Sequence, residues 1–283
     1  MTETATQVVI DSFGQTDPGK VREGNEDHFV IATVRKSVEI HYTSLSDDAV
    51  AHRLGRATGH LFAVADGVGG RPEGDLASER AVTALLDYIV SAAECFQGLD
   101  TTREDALLVK LEETVLGVHD ALLKEYGGVN SRLPATTLTM VLLVWPRAYL
   151  VHVGDSRAYV RQRGRLQRLT RDQTLGEFMV DAGAWTEAQA ARSSAASTLS
   201  SAVGGTEIVP VVGLIDLEPG DALLLCTDGL TRHVPDERIA EVLDAGGTAE
   251  SYCRQLIDDA LAGGGSDNIT VVAVTTHPAA KKP

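Results

Sequence analysis

Aspartates stand where short apolar runs begin or end, and those are the residues whose placement could do chemistry. In LFAVADGVGG, Leu61 to Gly70, an apolar stretch stops at Asp66 and a cluster of glycines. A run this short, bounded by turn residues, predicts a strand covered on both faces. Gly67, Gly69 and Gly70 would let the backbone turn with positive φ and bring bare carbonyls close to a ligand. A carboxylate beside an exposed carbonyl outlines a hard-cation site, although Asp-Gly is equally a common turn dipeptide. The design recurs along the chain. DALLLCTDGL runs into Asp228 and Gly229, and GGGSDN delivers Asp267 and Asn268 immediately before ITVVAVTT. Arg22, Asn25, Glu26 and Asp27 sit just ahead of the run from about His28 to Val34, and Asp155 in VGDSRAY is a further acid. Acids tucked against buried strands are costly unless paired or bound to metal. Oxygen donors without a convergent His or Cys favour Mg²⁺ or Mn²⁺ over zinc. Several carboxylates at one mouth suit two cations about 4 Å apart, an arrangement that activates a water and clamps phosphate oxygens.

The elements that must hold these residues follow from periodicity. VVIDSF and residues 28–34 read as strands, while residues 35–60 show no clear period and are taken as a peripheral insertion. Ala81, Val82, Leu85, Leu86, Ile89 and Val90 predict a helix over about 75–95. Leu107, Leu108, Leu111, Val115, Val118 and Leu122 predict a second over about 102–125. TTLTMVLLVW, AYLVHVGDSRAYVRQ and GRLQRLTRDQT are expected to form one meander with turns at Pro146 and near Asp155. Residues 174–200 carry two weakly amphipathic helical pieces and few large apolar residues, so this segment is expected to be more mobile than the sheets. A strand near 207–212, the apolar run into Asp228, helices over about 235–244 and 249–262, and a last strand complete the order. Short connections suit antiparallel sheets better than βαβ crossovers. The expected fold is α+β: a four-layer αββα sandwich of two mainly antiparallel sheets flanked by helix pairs, forming one domain over residues 1–277 with a disordered tail, 278–283.

Composition narrows the function. Lys plus Arg number 25 against 40 Asp plus Glu, a net charge of −15 that would repel a phosphate backbone, so nucleic-acid binding is not expected. No apolar run reaches the roughly 20 residues of a membrane helix, and MTETATQ lacks the features of a signal peptide, so the expectation is a cytoplasmic protein without membrane contact. Cys95, Cys226 and Cys253 are too few and too far apart for a disulfide framework or zinc knuckle, and read as buried thiols. The eight histidines, His28 and His152 among them, lack ligand spacing and are expected to be structural.

The ordered set VREGNED, ADGVGG, PATTLTM, VHVGDSRAY, LTRDQT, SSAVGG, CTDGL and SDNITVV resembles the motif series of the metal-dependent PP2C-type (PPM) serine/threonine protein phosphatases, especially the compact bacterial kind. The resemblance runs from about residue 8 to 276. It implies that Asp66 bridges two Mn²⁺ or Mg²⁺ ions and that the Gly67 carbonyl binds one of them. It further implies that Asp228 and Asp267 hold the other ion, and that Glu26 and Asp27 act mainly through bound waters. Asp155, with Asp228, would serve a third, weaker metal site. Arg22 would grip the substrate phosphate, and Asn268 would support Asp267. The implied reaction is in-line attack of a metal-activated water on phosphoserine or phosphothreonine, without a phosphoenzyme. The catalytic set is then Arg22, Asp66 and Asp228, the partners are phosphorylated proteins of a serine/threonine kinase system, and a monomer is expected. A catalytically weak relative that binds phosphoproteins is the alternative, although no metal carboxylate is missing. Departures from the pattern are Val68 where some members place a histidine acid, PATT for Gly-Thr-Thr, Gln173 for a histidine, and no His-Pro at the end of the 174–200 flap.

Overall fold

The structure is a computed structural model that describes residues 8–35, 58–68, 72–92, 101–126 and 134–279. In chain order the strands are β1 (Val8–Asp17), β2 (Asp27–Arg35), β3 (Thr58–Val68), β4 (Ala135–Thr136), β5 (Leu138–Val144), β6 (Arg147–Val153), β7 (Arg157–Gln162), β8 (Arg165–Arg168), β9 (Val211–Asp216), β10 (Ala222–Cys226) and β11 (Ile269–Pro278). The helices are α1 (Pro72–Ala92), α2 (Thr101–Tyr126), α3 (Leu175–Asp181), α4 (Glu187–Ala191), α5 (Asp228–Thr231), α6 (Asp236–Asp244) and α7 (Ala249–Ala262), with a 3₁₀ turn at Ser194–Ser197. One sheet has the order β1-β11-β10-β7-β8 and the other β2-β3-β5-β6-β9, with β4 pairing off β3. The pairings are antiparallel.

Alternation along the strands builds the layers, because successive side chains point to opposite faces. Phe62, Val64, Val141, Leu143, Leu223, Leu225, Val272 and Val274 meet between the two sheets. Their sequence neighbours Leu61, Ala63, Met140 and Leu142 face Leu107, Leu111, Val115 and Leu122 of the long helix α2. On the far side Leu224, Cys226, Val271 and Ala273 pack on Ile239, Val242, Leu256 and Ile257 from α6 and α7. Both faces of the central strands are therefore apolar and covered, the four-layer sandwich that continuous apolar runs anticipate. Cys226 and Cys253 are buried free thiols.

Three local expectations change. The region around Asp155 is not one meander: β5 and β6 form a hairpin in one sheet, β7 and β8 a hairpin in the other, and Gly154-Asp155-Ser156 carries the chain across. The crossing needs Gly154, whose φ is +104° and where a Cβ would lie 2.7 Å from Thr137. The strand placed near 207–212 starts later, as β9 at Val211. Gly67 continues β3 opposite Thr136 and does not begin the turn there. The readings of Gly69, Gly70, the tail from residue 280 and most of the 35–60 insertion fall outside the described residues; of that insertion, residues 58–60 belong to β3.

Candidate active site

Asp27 begins β2, and the antiparallel register sets it directly opposite Asp66 near the end of β3. From the other sheet come Asp228, in the first turn of α5 after β10, and Asp267, just before β11. Asp155 comes from the crossover between sheets. Strand ends of both sheets thus deliver the acids to one cavity of about 480 Å³, lined among others by Arg22, Glu26, Asp66, Gly67, Asp155, Asp228, Asp267 and Asn268. Asp27 lies beneath it, with only 5% of its surface exposed. Asp66 is fixed through its backbone. Its N–H donates to Thr137 Oγ1 at 3.0 Å, and its carbonyl accepts from Thr136 Oγ1 and the Thr137 N–H, both at 2.9 Å.

Asn268 organises the mouth. Its Nδ2 donates to the carbonyls of Pro18 and Gly24, its Oδ1 accepts from the Glu26 N–H, and its own N–H donates to Asp267 Oδ1 at 3.0 Å. One residue thereby holds the Arg22–Glu26 loop and Asp267 in fixed relation. The glycine of CTDGL has a steric reason: a Cβ on Gly229 would stand 1.9 Å from the Asn268 carbonyl oxygen, so only glycine lets α5 approach this close. The Gln173 side chain accepts from the Gly154 N–H and donates to the Val209 carbonyl, tying the Asp155 crossover to the stretch just before β9.

The acids resist ionisation. Burial pushes Asp27 up to about 7 and Asp155 up to about 8, and neighbouring carboxylates, Asp228 first, add to it. Hydrogen bonds from Thr270 and Thr227 to Asp27 Oδ2, at 2.7 and 2.8 Å, oppose part of that rise. Burial and the charges of Asp27 and Asp228 raise Asp66 well above the carboxylate range, and burial likewise raises Asp228. Two cations answer this field. Arg22 grips Asp267, with Nε 2.7 Å from Oδ1 and Nη2 donating to Oδ2 at 2.8 Å. Arg232 donates to Asp267 Oδ2 at 3.0 Å and pairs with Asp228 Oδ2.

These observations test whether metal suits the residues. As the side chains stand, no three His, Cys, Asp or Glu among the described residues converge closely enough to hold an ion. Guanidiniums occupy both oxygens of Asp267 and one of Asp228, which a cation would need. Yet Asp27 Oδ1 and Asp228 Oδ1 are buried without any hydrogen-bond partner, an arrangement tolerated where a ligand supplies the missing interaction. With oxygen donors crowded into one wall, the set fits hard divalent cations once side chains move.

Every proposed site residue except Asp27 lines the cavity itself. The sequence reading missed Thr137, Thr227 and Thr270, which hold Asp66 and Asp27, and it missed Arg232. The threonines were in view as neighbours of the acids, but only pairing shows their targets; Arg232 carried a readable signal, its four-residue offset from Asp228 at a helix start. His28 bonds Ser78 and His152 lies between Thr139 and the Arg171 carbonyl, and neither lines the cavity. Val68 lines it instead, 39% exposed.

Two stacked antiparallel sheets between helices, with an acidic cavity at their common edge, define a recognisable class of α+β protein. The family profile described as protein phosphatase 2C matches residues 38–261, and the chain belongs to that family. It is similar to the serine/threonine protein phosphatase PstP of Mycobacterium tuberculosis, 34% identical over 244 residues, 84% of this chain but only 45% of PstP. The chain thus spans about half the length of that relative. Among solved structures, the Streptococcus agalactiae serine/threonine phosphatase superposes with a TM-score of 0.76 at 28% identity, covering 95% of this chain and 99% of that one. The PstP catalytic domain in complex with two manganese ions gives a TM-score of 0.70 at 29% identity over 96% and 100% of the two chains.

Proposed function

We propose that the chain is a metal-dependent protein serine/threonine phosphatase that hydrolyses phosphoserine and phosphothreonine. The observation that carries the reading is the gathering of Asp66, Asp155, Asp228 and Asp267 from two sheets into one cavity beside Arg22. Asp66, the Gly67 carbonyl, Asp228 and Asp267 would hold two Mn²⁺ or Mg²⁺ ions. Glu26 and Asp27 would act around them, and Asp155 with Asp228 would serve a third. When bound, the ions supply an activated water and neutralise phosphate charge. Arg22, with 46% of its side chain exposed, presents a planar fork of donors suited to two phosphate oxygens. Thr136 and Thr137 lock the Asp66 backbone, so the carboxylate is positioned before substrate arrives. Val68 offers no proton to the leaving group, which sets this cavity apart from members with a histidine there. Phosphoproteins of a serine/threonine kinase system are the proposed substrates, and the 174–200 segment is the flap beside them.

The test combines a bound-metal count with release of phosphate from a phosphopeptide. Two ions per chain and release that disappears with chelator and returns with Mn²⁺ or Mg²⁺ are expected. Full release in chelator, or rescue by zinc alone, overturns the assignment. Metal and phosphopeptide binding without release would establish a binding module instead.

A further inference from the structure

Arg232 has no place in the reaction outlined above, yet it stands at its centre. Its backbone N–H caps α5 on the Asp228 carbonyl at 2.9 Å, which aims the side chain back over the same residue four positions earlier. The guanidinium then spans two carboxylates that belong to different elements, Asp228 of α5 and Asp267 ahead of β11. Asp267 has no oxygen left over: Oδ1 takes Arg22 Nε and the Asn268 N–H, and Oδ2 takes Arg22 Nη2 and Arg232 Nη1. Asp228 has Oδ2 bound by Arg232, and only its buried Oδ1 lacks a partner. Arg232 also lines the cavity, with 39% of its side chain exposed, so it has solvent-filled space into which it can withdraw.

We propose that Arg232 is an internal competitor for the divalent cation at the Asp228 and Asp267 half of the site. The guanidinium and a divalent ion need the same oxygens. Cation entry therefore breaks two charge-assisted hydrogen bonds that no ordinary carboxylate pair would present. Cation affinity at this half is set below what its carboxylates alone would give, and its occupancy follows the available cation concentration. In the chain without cation, the same bridge screens two like charges and ties α5 to β11. A plain helix-capping ion pair would share the last role but not the first, since removing it would leave cation affinity unchanged. The inference rests on the proposed cation site.

Isothermal titration with MnCl₂ of the full chain, stripped with chelator, compares wild type with Arg232→Gln and Arg232→Lys. Competition predicts that the weaker Mn²⁺ step tightens at least tenfold in Arg232→Gln, and that the midpoint of thermal unfolding in chelator falls. Arg232→Lys keeps the charge but its single ammonium cannot span both carboxylates. It should tighten binding to an intermediate degree, and it carries the test if circular dichroism shows the glutamine variant unfolded. Mn²⁺ affinity that is unchanged or weaker in both variants overturns the inference and leaves the cation site standing. A lysine variant identical to wild type beside a tightened glutamine variant shows a mere field effect and overturns it as well. Absence of Mn²⁺ uptake by wild type and variants alike removes the cation site and the inference together.

Discussion

Arg22 shows how much a single side chain is asked to do in this cavity. It is held on Asp267 by two nitrogens of its fork, Nε and Nη2, and the bond to Asp267 raises its already high pKa, so its charge is permanent. Arg22→Ala should raise KM for a phosphopeptide by an amount matching a charge-assisted pair, about 1.5–3 kcal/mol, read from steady-state kinetics. Because Arg22 also neutralises Asp267, the same variant should bind Mn²⁺ no more weakly than wild type. Asp66→Asn and Asp228→Asn should abolish phosphate release while leaving the chain folded. Asp66→Asn removes one of several crowded, desolvated charges without breaking an ion pair, so its unfolding midpoint in chelator should hold or rise, whereas Asp228→Asn also loses its bond to Arg232 and should gain less. The pH response has a defined sign. Asp27 and Asp155 titrate in the folded chain near 7 and 8 because of burial, against an unfolded value near 4. Below pH 4 both states are protonated and nothing is lost. Above it the unfolded chain ionises first, so these two groups make the folded state less stable as pH rises, until they ionise themselves near 7 to 8. Thermal melts in chelator should therefore show a midpoint falling between about pH 5 and 8, and Asp155→Asn should flatten that slope. Saturating Mn²⁺ should remove it.

At the scale of elements, the site depends on how closely strand ends and helix starts approach. The α5 start and the segment before β11 nearly touch at Gly229, where a methyl group would meet the Asn268 carbonyl at 1.9 Å. Gly229→Ala should cost about 1–3 kcal/mol in denaturant unfolding, as overpacking does, and should weaken Mn²⁺ binding because Asn268 and Asp267 move together. Gly117 in α2 is the contrast: a Cβ there meets nothing within 4 Å, so Gly117→Ala should stabilise the helix by up to about 1 kcal/mol. A destabilised Gly117→Ala, or a Gly229→Ala indistinguishable from wild type in both assays, would contradict these packing arguments.

For the whole molecule, the cavity sits where two sheets end, with Asp27 and Asp66 from one and Asp228 and Asp267 from the other. A ligand bound there joins the halves of the sandwich and must stabilise the entire cooperative unit. Mn²⁺ at 100 times its dissociation constant should add about 2.7 kcal/mol, which for a chain of this size is roughly 5–10 °C in the unfolding midpoint. Calorimetric scans with and without Mn²⁺ check it, and a midpoint independent of the ion would mean that no cation bridges the sheets. The net charge of −15 adds to this field, because every carboxylate raises the cost of the neighbouring one.

What the sequence determined by itself was the alternation and the punctuation. Apolar runs such as LFAVA and ALLLC, broken by Asp-Gly, specify strands buried on both faces, and helical spacing at Leu107, Leu111 and Leu122 specifies the covering helix; these are local periodicities that burial enforces. The acids could be picked out because carboxylates beside buried strands are rare without a purpose, and the ordered motifs named the family. Tertiary structure alone decided which strands share a sheet. A hairpin and a crossover have the same local pattern, so the sequence could not show that the chain changes sheet at Asp155, a step that Gly154 and its contact with Thr137 make possible. It alone decided partners as well. Thr227 and Thr270 reach Asp27 across 200 and 243 residues, and Arg232 reaches Asp267 across 35. Such contacts depend on the register of β10 and β11, which no residue's own neighbourhood encodes.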